Sequence, residues 1–235
     1  MDNLISEEVA TSMLLPVSNK PKCIHAIGCI PKEDGGIRPI TDCSRPDKLS
    51  INNHMDFDKF SFHSVDSAAQ LITQNCYFAI VDLSKAYRSV PIHPSHWQLQ
   101  GLKWNNQYYV DTRLCFGLRC APSIFHRISS FITRCMARRG YDYIINYLDD
   151  FCMIHHDQTK VKESQQALIQ LLHSLGFSVS WPKVVSPTQV VKFLGIILDS
   201  VKMEMRLPNS KLKSLQNVLH EFSNKSKATK RQLQN

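Results

Sequence analysis

The stretch YIINYLDDFCMIH, residues 143–155, is two apolar runs with a pair of aspartates between them. Tyr143, Ile144, Ile145, Tyr147 and Leu148 are β-branched, aromatic or aliphatic and suit a buried strand. Phe151, Cys152, Met153 and Ile154 form a second such run. Asp149 and Asp150 stand between them without glycine or proline, which predicts a tight hairpin carrying two acids at its tip. Two carboxylates about 4 Å apart repel by roughly 4 kcal/mol at an effective dielectric of about 20, so a cation is expected nearby. The same residues also fit a plain polar turn, because Asp is common in turns. The rest of the chain decides between the two.

Working upstream, Tyr77-Phe78-Ala79-Ile80-Val81-Asp82 reads as an apolar strand ending in a lone acid. Burying such an acid unpaired is costly, so it is expected to point into a cleft. Between the two acidic segments, Leu114 to Pro122 leads into a helix in which Ile124, Ile128, Phe131, Ile132, Cys135 and Met136 keep helical spacing and Gly140 is the stop. Leu99–Trp104 and Tyr108–Arg113 flank Asn105-Asn106 as a hairpin. Ser64 caps a helix over 65–73, and 43–60 reads as a loop. Nearer the N-terminus, Cys23–Ile30 and Ile37–Asp42 read as two strands joined by a Gly-rich turn. Lys32 lies at the tip and Arg38 on the second arm, either as solvated charges or as a pair of cations for a triphosphate. Residues 1–21 read as a polar lead-in.

Downstream, Asp157 caps a helix with Val161, Leu168, Leu171, Leu172 and Leu175 on one face and Gly176 as its stop. Val179 and Trp181 suggest a short strand, Val190–Leu198 a strand around Gly195, and Met203–Arg206 one more. Ser210 caps an amphipathic helix through Leu212, Leu215, Leu219 and Phe222, and 229–233 reads as a helix cut off.

The chain has 235 residues, 43% apolar and 20% charged, an ordinary globular composition. Its net charge of +8 suits a polyanion, and nucleic acid is the usual one. The eight cysteines contain no Cys-x-x-Cys pair and read as reduced core thiols of an intracellular protein, cytoplasmic or nuclear. His93-x-x-His96 is a weak metal signal. Met1–Ala10 is acidic and short of apolar length, so no signal peptide is read there, and no apolar run approaches membrane-spanning length, so no membrane partner is expected.

Taken together, Asp82, Asp149 and Asp150 are three carboxylates on strands that the connections would make neighbours. Such a set suits hard cations such as Mg²⁺. Two ions about 3.5–4 Å apart could hold the attacking and leaving oxygens of a phosphoryl transfer.

At this point the chain resembles the fingers and palm of a reverse transcriptase. The resemblance rests on Pro31-Lys32 through Gly36 with Arg38-Pro39-Ile40 and Asp42, on Ile80-Val81-Asp82-Leu83 through Ala86-Tyr87, and on Phe116-Gly117-Leu118 through Ala121–Phe125. It continues in Tyr147-Leu148-Asp149-Asp150, Gly176-Phe177 to Lys183, and Phe193-Leu194-Gly195, in order over about 22–199. Ala86–Ile92 and Gly117–Pro122 look most like DIRS-like retroelements, those with a tyrosine recombinase.

The resemblance implies an α+β right-hand fold: 1–21 as lead-in, 22–199 as fingers and palm with an antiparallel sheet backed by helices, and 200–235 as the start of a truncated thumb. It implies two Mg²⁺ ions, or Mn²⁺, on Asp82, Asp149, Asp150 and the Leu83 carbonyl. Lys32 and Arg38 would neutralise the dNTP triphosphate. Tyr87 would lie under the sugar and exclude a 2′-hydroxyl, with Phe116 lining the site and Gly117 admitting the nucleotide to the backbone. Lys183 would protonate pyrophosphate, and Phe193-Leu194-Gly195 would grip the primer of an RNA or DNA template-primer. Phe116 stands where many retroviral enzymes have Gln, and Lys85 where an acid is often found. With no RNase H or recombinase region in view, the expectation is a piece of a polyprotein; the alternative is an inactive nucleic-acid-binding remnant.

Overall fold

The computed structural model describes residues 1–31, 36–56, 61–223, 225, 227 and 229. The chain begins with α1 (Asp2–Ala10), β1 (Leu14–Val17), β2 (Ile24–His25), β3 (Ile27–Pro31) and β4 (Ile37–Thr41). After α2 (Val65–Ala69) come β5 (Tyr77–Ser84), β6 (Gly101–Trp104), β7 (Gln107–Asp111) and α3 (Ala121–Ala137). The acidic hairpin is β8 (Ile144–Tyr147) and β9 (Asp150–His155), followed by α4 (Gln158–Ser174). Then follow β10 (Ser178–Val179), β11 (Val185–Thr188), β12 (Val190–Phe193), β13 (Ile196–Asp199), β14 (Glu204–Arg206) and α5 (Asn209–Ser223).

The central sheet is antiparallel, ordered β10-β5-β9-β8, with β11 also on β5. Alternation along β5 and β9 divides its side chains between two cores. Ala79, Val81, Leu83, Phe151 and Met153 pack on one face with Phe125, Ile132 and Met136 of α3 and Val161, Leu168 and Leu172 of α4. Phe78, Ile80, Cys152 and Ile154 pack on the other with Ala68 of α2 and Val191, Phe193 and Leu198. The sheet backed by helices is therefore present as expected, and the fold class is α+β.

The caps act as the sequence suggests. The Ser64 side chain accepts from the Asp66 and Ser67 N–H groups, and that of Asp157 from Thr159 and Lys160. The hairpin at Asn105-Asn106 turns with both residues at positive φ, 44° and 63°. Gly140 and Gly176 follow α3 and α4 at φ +89° and +81°.

Several segments differ from the sequence reading. Residues 1–21 are not a featureless lead-in. Helix α1 buries Ile5 and Glu8, and β1 pairs with β7 in a sheet ordered β1-β7-β6-β2. Polarity hid this, because the core here is small: Ile5, Leu14 and Leu102, with Met1, Val9, Ile27, Trp104 and Tyr109 packed against them. The strand read over Cys23–Ile30 breaks at Ala26, since β2 pairs in parallel with β6 while β3 pairs with β4. Helix α2 stops at Ala69 rather than Thr73. Val190–Leu198 is a hairpin and not one strand. It turns at Leu194 (φ 49°) and Gly195 (φ 80°), which pairs Val191 with Leu198 and lets both face the β5–β9 sheet. Helix α5 begins at Asn209, one residue before the expected cap. Residues 51–54, within the expected loop, form a 3-10 turn. Lys32 and most of 229–233 lie outside the described residues.

Candidate active site

Pairing of β5 with β9 sets Asp82 directly opposite Asp150. Directly opposed residues of an antiparallel pair project on the same side. Asp149 sits in the two-residue turn between Tyr147 and Asp150, after Leu148 at φ 52°. The Leu83 N–H donates to the Asp149 carbonyl at 3.1 Å, which ties the turn to the end of β5. Three acids from two segments 67 positions apart in the chain thus share one end of the sheet, numbering from Asp82 to Asp149.

The cation expected for this cluster is Lys183, in the 3-10 turn Trp181–Lys183 that follows β10. Its Nζ lies 3.0 Å from Asp82 Oδ2. The Ser180 N–H donates to the Asp82 carbonyl at 2.8 Å, so the Lys183 turn is clamped to β5 by backbone as well. Asp82 Oδ1 is buried and has no hydrogen-bond partner.

Electrostatics mark the same point. Burial, a hydrogen bond shared with Asp82 and the charge of Asp149 push Asp150 up to about 7. Burial and the charge of Asp82 raise Asp149, against Lys183 and Arg38, which lower it. Lys183 is raised: burial acts to lower it, but the hydrogen bond and charge of Asp82 prevail. One lysine does not neutralise three clustered carboxylates, so two of them hold protons more readily than a free acid.

The predicted nucleotide residues adjoin the acids. Tyr87 is 9% exposed and lies in a 3-10 turn, Tyr87–Ser89. Its ring packs on Phe116 at 4.7 Å and on Phe125 at 5.7 Å between centroids. The Arg38 guanidinium of β4 lies 5.1 Å over the Phe116 ring. Burial and the charge of Asp149 push the Tyr87 hydroxyl up to about 12, and Arg38 acts on both groups in the opposite sense. Gly117 is held against β4, with the Thr41 N–H donating to the Phe116 carbonyl at 2.7 Å. Asn52, which sequence reasoning passed over as a loop residue, donates to the Gly117 carbonyl at 2.8 Å and accepts from the Arg119 N–H at 2.8 Å.

The expected primer grip divides. Phe193 is 2% exposed and belongs to the core beneath the sheet. Leu194 lines a groove of 600 Å³ with Phe62, His63, Ser64, Val65 and Tyr147, and Tyr147 is the cross-strand partner of Asp150. Gly195 faces Lys211 of α5. Lys85 pairs with Glu7 of α1. His93 and His96 stack edge to face at 6.2 Å and lie outside the acid cluster.

Among the described residues, no three His, Cys, Asp or Glu side chains already form a group that could hold a metal ion. Lys183 pairs with one oxygen of Asp82. Lys183→Met is expected to destabilise the metal-free protein by about 1–2 kcal/mol, because it leaves a buried carboxylate unpaired while the lysine itself is half in solvent. Urea unfolding checks this; an unchanged midpoint would show that the pair contributes nothing.

Residues 30–198 match the family described as reverse transcriptase (RNA-dependent DNA polymerase). Protein P of duck hepatitis B virus (isolate white Shanghai duck S31) is 23% identical over 171 residues, covering 72% of this chain and 21% of its own length. The Pro-Pol polyprotein of simian foamy virus type 1 is 24% identical over 204 residues, covering 81% of this chain and 16% of its own. The chain therefore spans about a fifth of the length of the curated relatives it matches. The structure of a foamy viral protease-reverse transcriptase, the dRH form in complex with double-stranded DNA, superposes with a TM-score of 0.82 at 20% identity, over 99% of this chain and 38% of that one. The foamy viral protein in complex with RNA/DNA hybrid gives 0.77 at 20% identity, over 99% and 29%. With the family match covering well over half the sequence, the chain belongs to the reverse transcriptase (RNA-dependent DNA polymerase) family.

Proposed function

We propose that this domain carries out template-directed nucleotidyl transfer from dNTPs to a primer 3′-hydroxyl on RNA or DNA. The observation that carries the proposal is the opposition of Asp82 and Asp150 with Asp149 beside them. In the reaction the 3′-oxygen bonds to the α-phosphorus, the bond to the bridging oxygen breaks, and pyrophosphate leaves with the electron pair. Asp82, Asp149 and Asp150 would hold two Mg²⁺ ions, or Mn²⁺, with the Leu83 carbonyl assisting. The set fits, because all donors are hard oxygens and the buried, unpartnered Asp82 Oδ1 is one of them. The bound ions would supply Lewis-acid activation of the attacking oxygen and charge neutralisation at the leaving one.

The chain's own residues do the rest. Arg38, exposed beside Phe116, meets the triphosphate, and Lys32 is proposed to join it. Tyr87 and Phe116 form an aromatic floor for base and sugar, and the buried Tyr87 ring bars a 2′-hydroxyl. Gly117 keeps the backbone next to that floor free of a side chain. Lys183, 3.0 Å from Asp82 Oδ2, would give a proton to pyrophosphate. Leu194 and Gly195 bear on the primer end, with Phe193 anchoring their turn from within the core.

The setting we propose is a retrotransposon polyprotein of the DIRS-like kind, on the strength of Ala86–Ile92 and Gly117–Pro122, acting inside the cell. The viral Pro-Pol relative supports a polyprotein context. Residues 22–199 would be fingers and palm, and 200–235 the beginning of a thumb.

Primer extension on an RNA template with Mg²⁺ tests the proposal. Wild type should incorporate dNTPs, and Tyr87→Ala should lower the preference for dNTPs over rNTPs by about a hundredfold, since a lost steric clash of roughly 3 kcal/mol gives that ratio. Salt-sensitive binding of template-primer without any incorporation would leave only a binding remnant.

A further inference from the structure

Next to Tyr87, around Arg88, the chain buries three charges that the proposed reaction does not use. Arg88 is 7% exposed, Asp111 5% and Glu8 7%. Arg88 donates through one nitrogen to both Asp111 oxygens, at 2.7 and 2.6 Å, and through the other to Glu8. Asp111 also accepts the Arg113 N–H at 2.9 Å. Glu8 belongs to α1, which lies outside the segment matched by the family.

The placement of this cluster is what gives it meaning. Arg88 shares the Tyr87–Ser89 turn with the ring at the nucleotide site. Asp111 ends β7, and the residues after it run beside the exit of that turn. There the Ile92 N–H donates to Thr112 and the Leu114 N–H to Val90, at 2.8 and 2.9 Å. That second strand of chain leads into Phe116. Arg88–Asp111 therefore ties together the two backbones that deliver Tyr87 and Phe116, the touching pair. A small pocket of 30 Å³ is lined by Glu8, Arg88, Asp111, Thr41 and Phe116, so the cluster and Phe116 border one space. Multidentate Arg–carboxylate pairing fixes geometry as well as charge. A fully buried arrangement of this sort is weak evidence for stability alone, since an apolar cluster of equal volume would serve as well or better.

We propose that Arg88, clamped between Glu8 and Asp111, is a positioning residue for the Tyr87–Phe116 ring pair, so that helix α1 takes part in sugar selection. The proposal rests on the polymerase reading given above. Glu8 sets how far the Arg88 turn sits from α1, and with it the height of the Tyr87 ring over the sugar site.

The test is steady-state incorporation of a dNTP and the matching rNTP by wild type, Glu8→Gln and Asp111→Asn, each also in a Tyr87→Ala background. Both conservative variants keep an acceptor for Arg88. In the Tyr87 background each should lower the dNTP preference about tenfold, chiefly through a lower KM for the rNTP with kcat little changed, a size usual for directly coupled sites. In the Tyr87→Ala background neither should change the preference, because the ring being positioned is gone. An unchanged preference, an equal fall in both backgrounds, or failure of both variants to fold would assign the cluster to stability and overturn the proposal. A wild type that incorporates nothing would overturn the polymerase reading itself and this inference with it. A wild type that incorporates dNTPs while the variants keep full selectivity would overturn this inference alone.

Discussion

Asp150→Asn is expected to reduce Mg²⁺-dependent primer extension by at least about a thousandfold and, at the same time, to raise the melting temperature of the metal-free protein near pH 8. On the proposed mechanism, the loss follows from removing a charged oxygen donor from the cation-holding set, an effect of roughly 4 kcal/mol on the barrier. The gain follows from the charge balance around Asp82. Burial first, then Asp82 and Asp149 beside it, push Asp150 up to about 7 from an ordinary value of 3.8. The folded state therefore binds more protons than the unfolded chain between those values, and stability falls as pH rises through that window. Below about pH 4 the penalty is absent; above about pH 7 it is complete. The neutral amide removes it, so the variant should melt a few degrees higher at about pH 8 and show a smaller gap at about pH 5. Primer extension gels and thermal melts in chelator check both halves. Activity within tenfold of wild type, or a gap that does not shrink on acidification, would contradict the account. Stability given up to hold like charges together is the familiar cost of a reactive site.

Gly117→Ala is expected to destabilise the protein by about 4 kcal/mol and lower its melting temperature by roughly 10 °C. A Cβ at this position would stand 1.8 Å from the Thr41 carbonyl oxygen and 2.9 Å from its carbon, both of them backbone. The residue also holds φ at +132°, which L side chains rarely adopt. Relief requires moving β4 away from the Phe116–Gly117 turn. That breaks the bond from the Thr41 N–H to the Phe116 carbonyl and displaces Arg38 from the Phe116 ring. Activity should fall with stability, because β4 carries the cation expected at the triphosphate. Gly28→Ala on β3 is the control. A Cβ there meets nothing within 4 Å, so its effect should stay within about 0.5 kcal/mol. Equal melting temperatures for the two variants would show that the close approach at Thr41 is not maintained in solution.

Much of the site was legible in local sequence because each part has a short-range cause. Alternating apolar residues make strands β5, β8 and β9, and an acid at the end of such a strand is conspicuous because burial there is costly. The caps at Ser64 and Asp157, the Asn105-Asn106 turn and the stops at Gly140 and Gly176 are equally local. Less legible were elements whose definition lies in their partners. Val190–Leu198 has one strand's worth of apolar residues, and it folds back only because the underside of the β5–β9 sheet needs Val191, Phe193 and Leu198 together. Residues 1–21 are polar enough to read as a lead-in, yet β1 joins a sheet and α1 buries Ile5 and Glu8. Arg88 reads only as part of the Ala86–Ile92 resemblance, and nothing beside it in sequence names its partners, which are 80 positions upstream and 23 downstream.

What the sequence by itself determined is the inventory: three carboxylates on strands set by apolar periodicity and turn chemistry over a few residues, with the lysine, the aromatic pair and the glycine named by the family resemblance. What only the tertiary structure decided is their mutual placement. The β5–β9 register that faces Asp82 with Asp150, the Lys183–Asp82 pair and the Glu8–Arg88–Asp111 clamp all join residues tens of positions apart. Their register and pairing are chosen by the packing of two cores against one sheet, a sum over the whole chain that no local stretch contains.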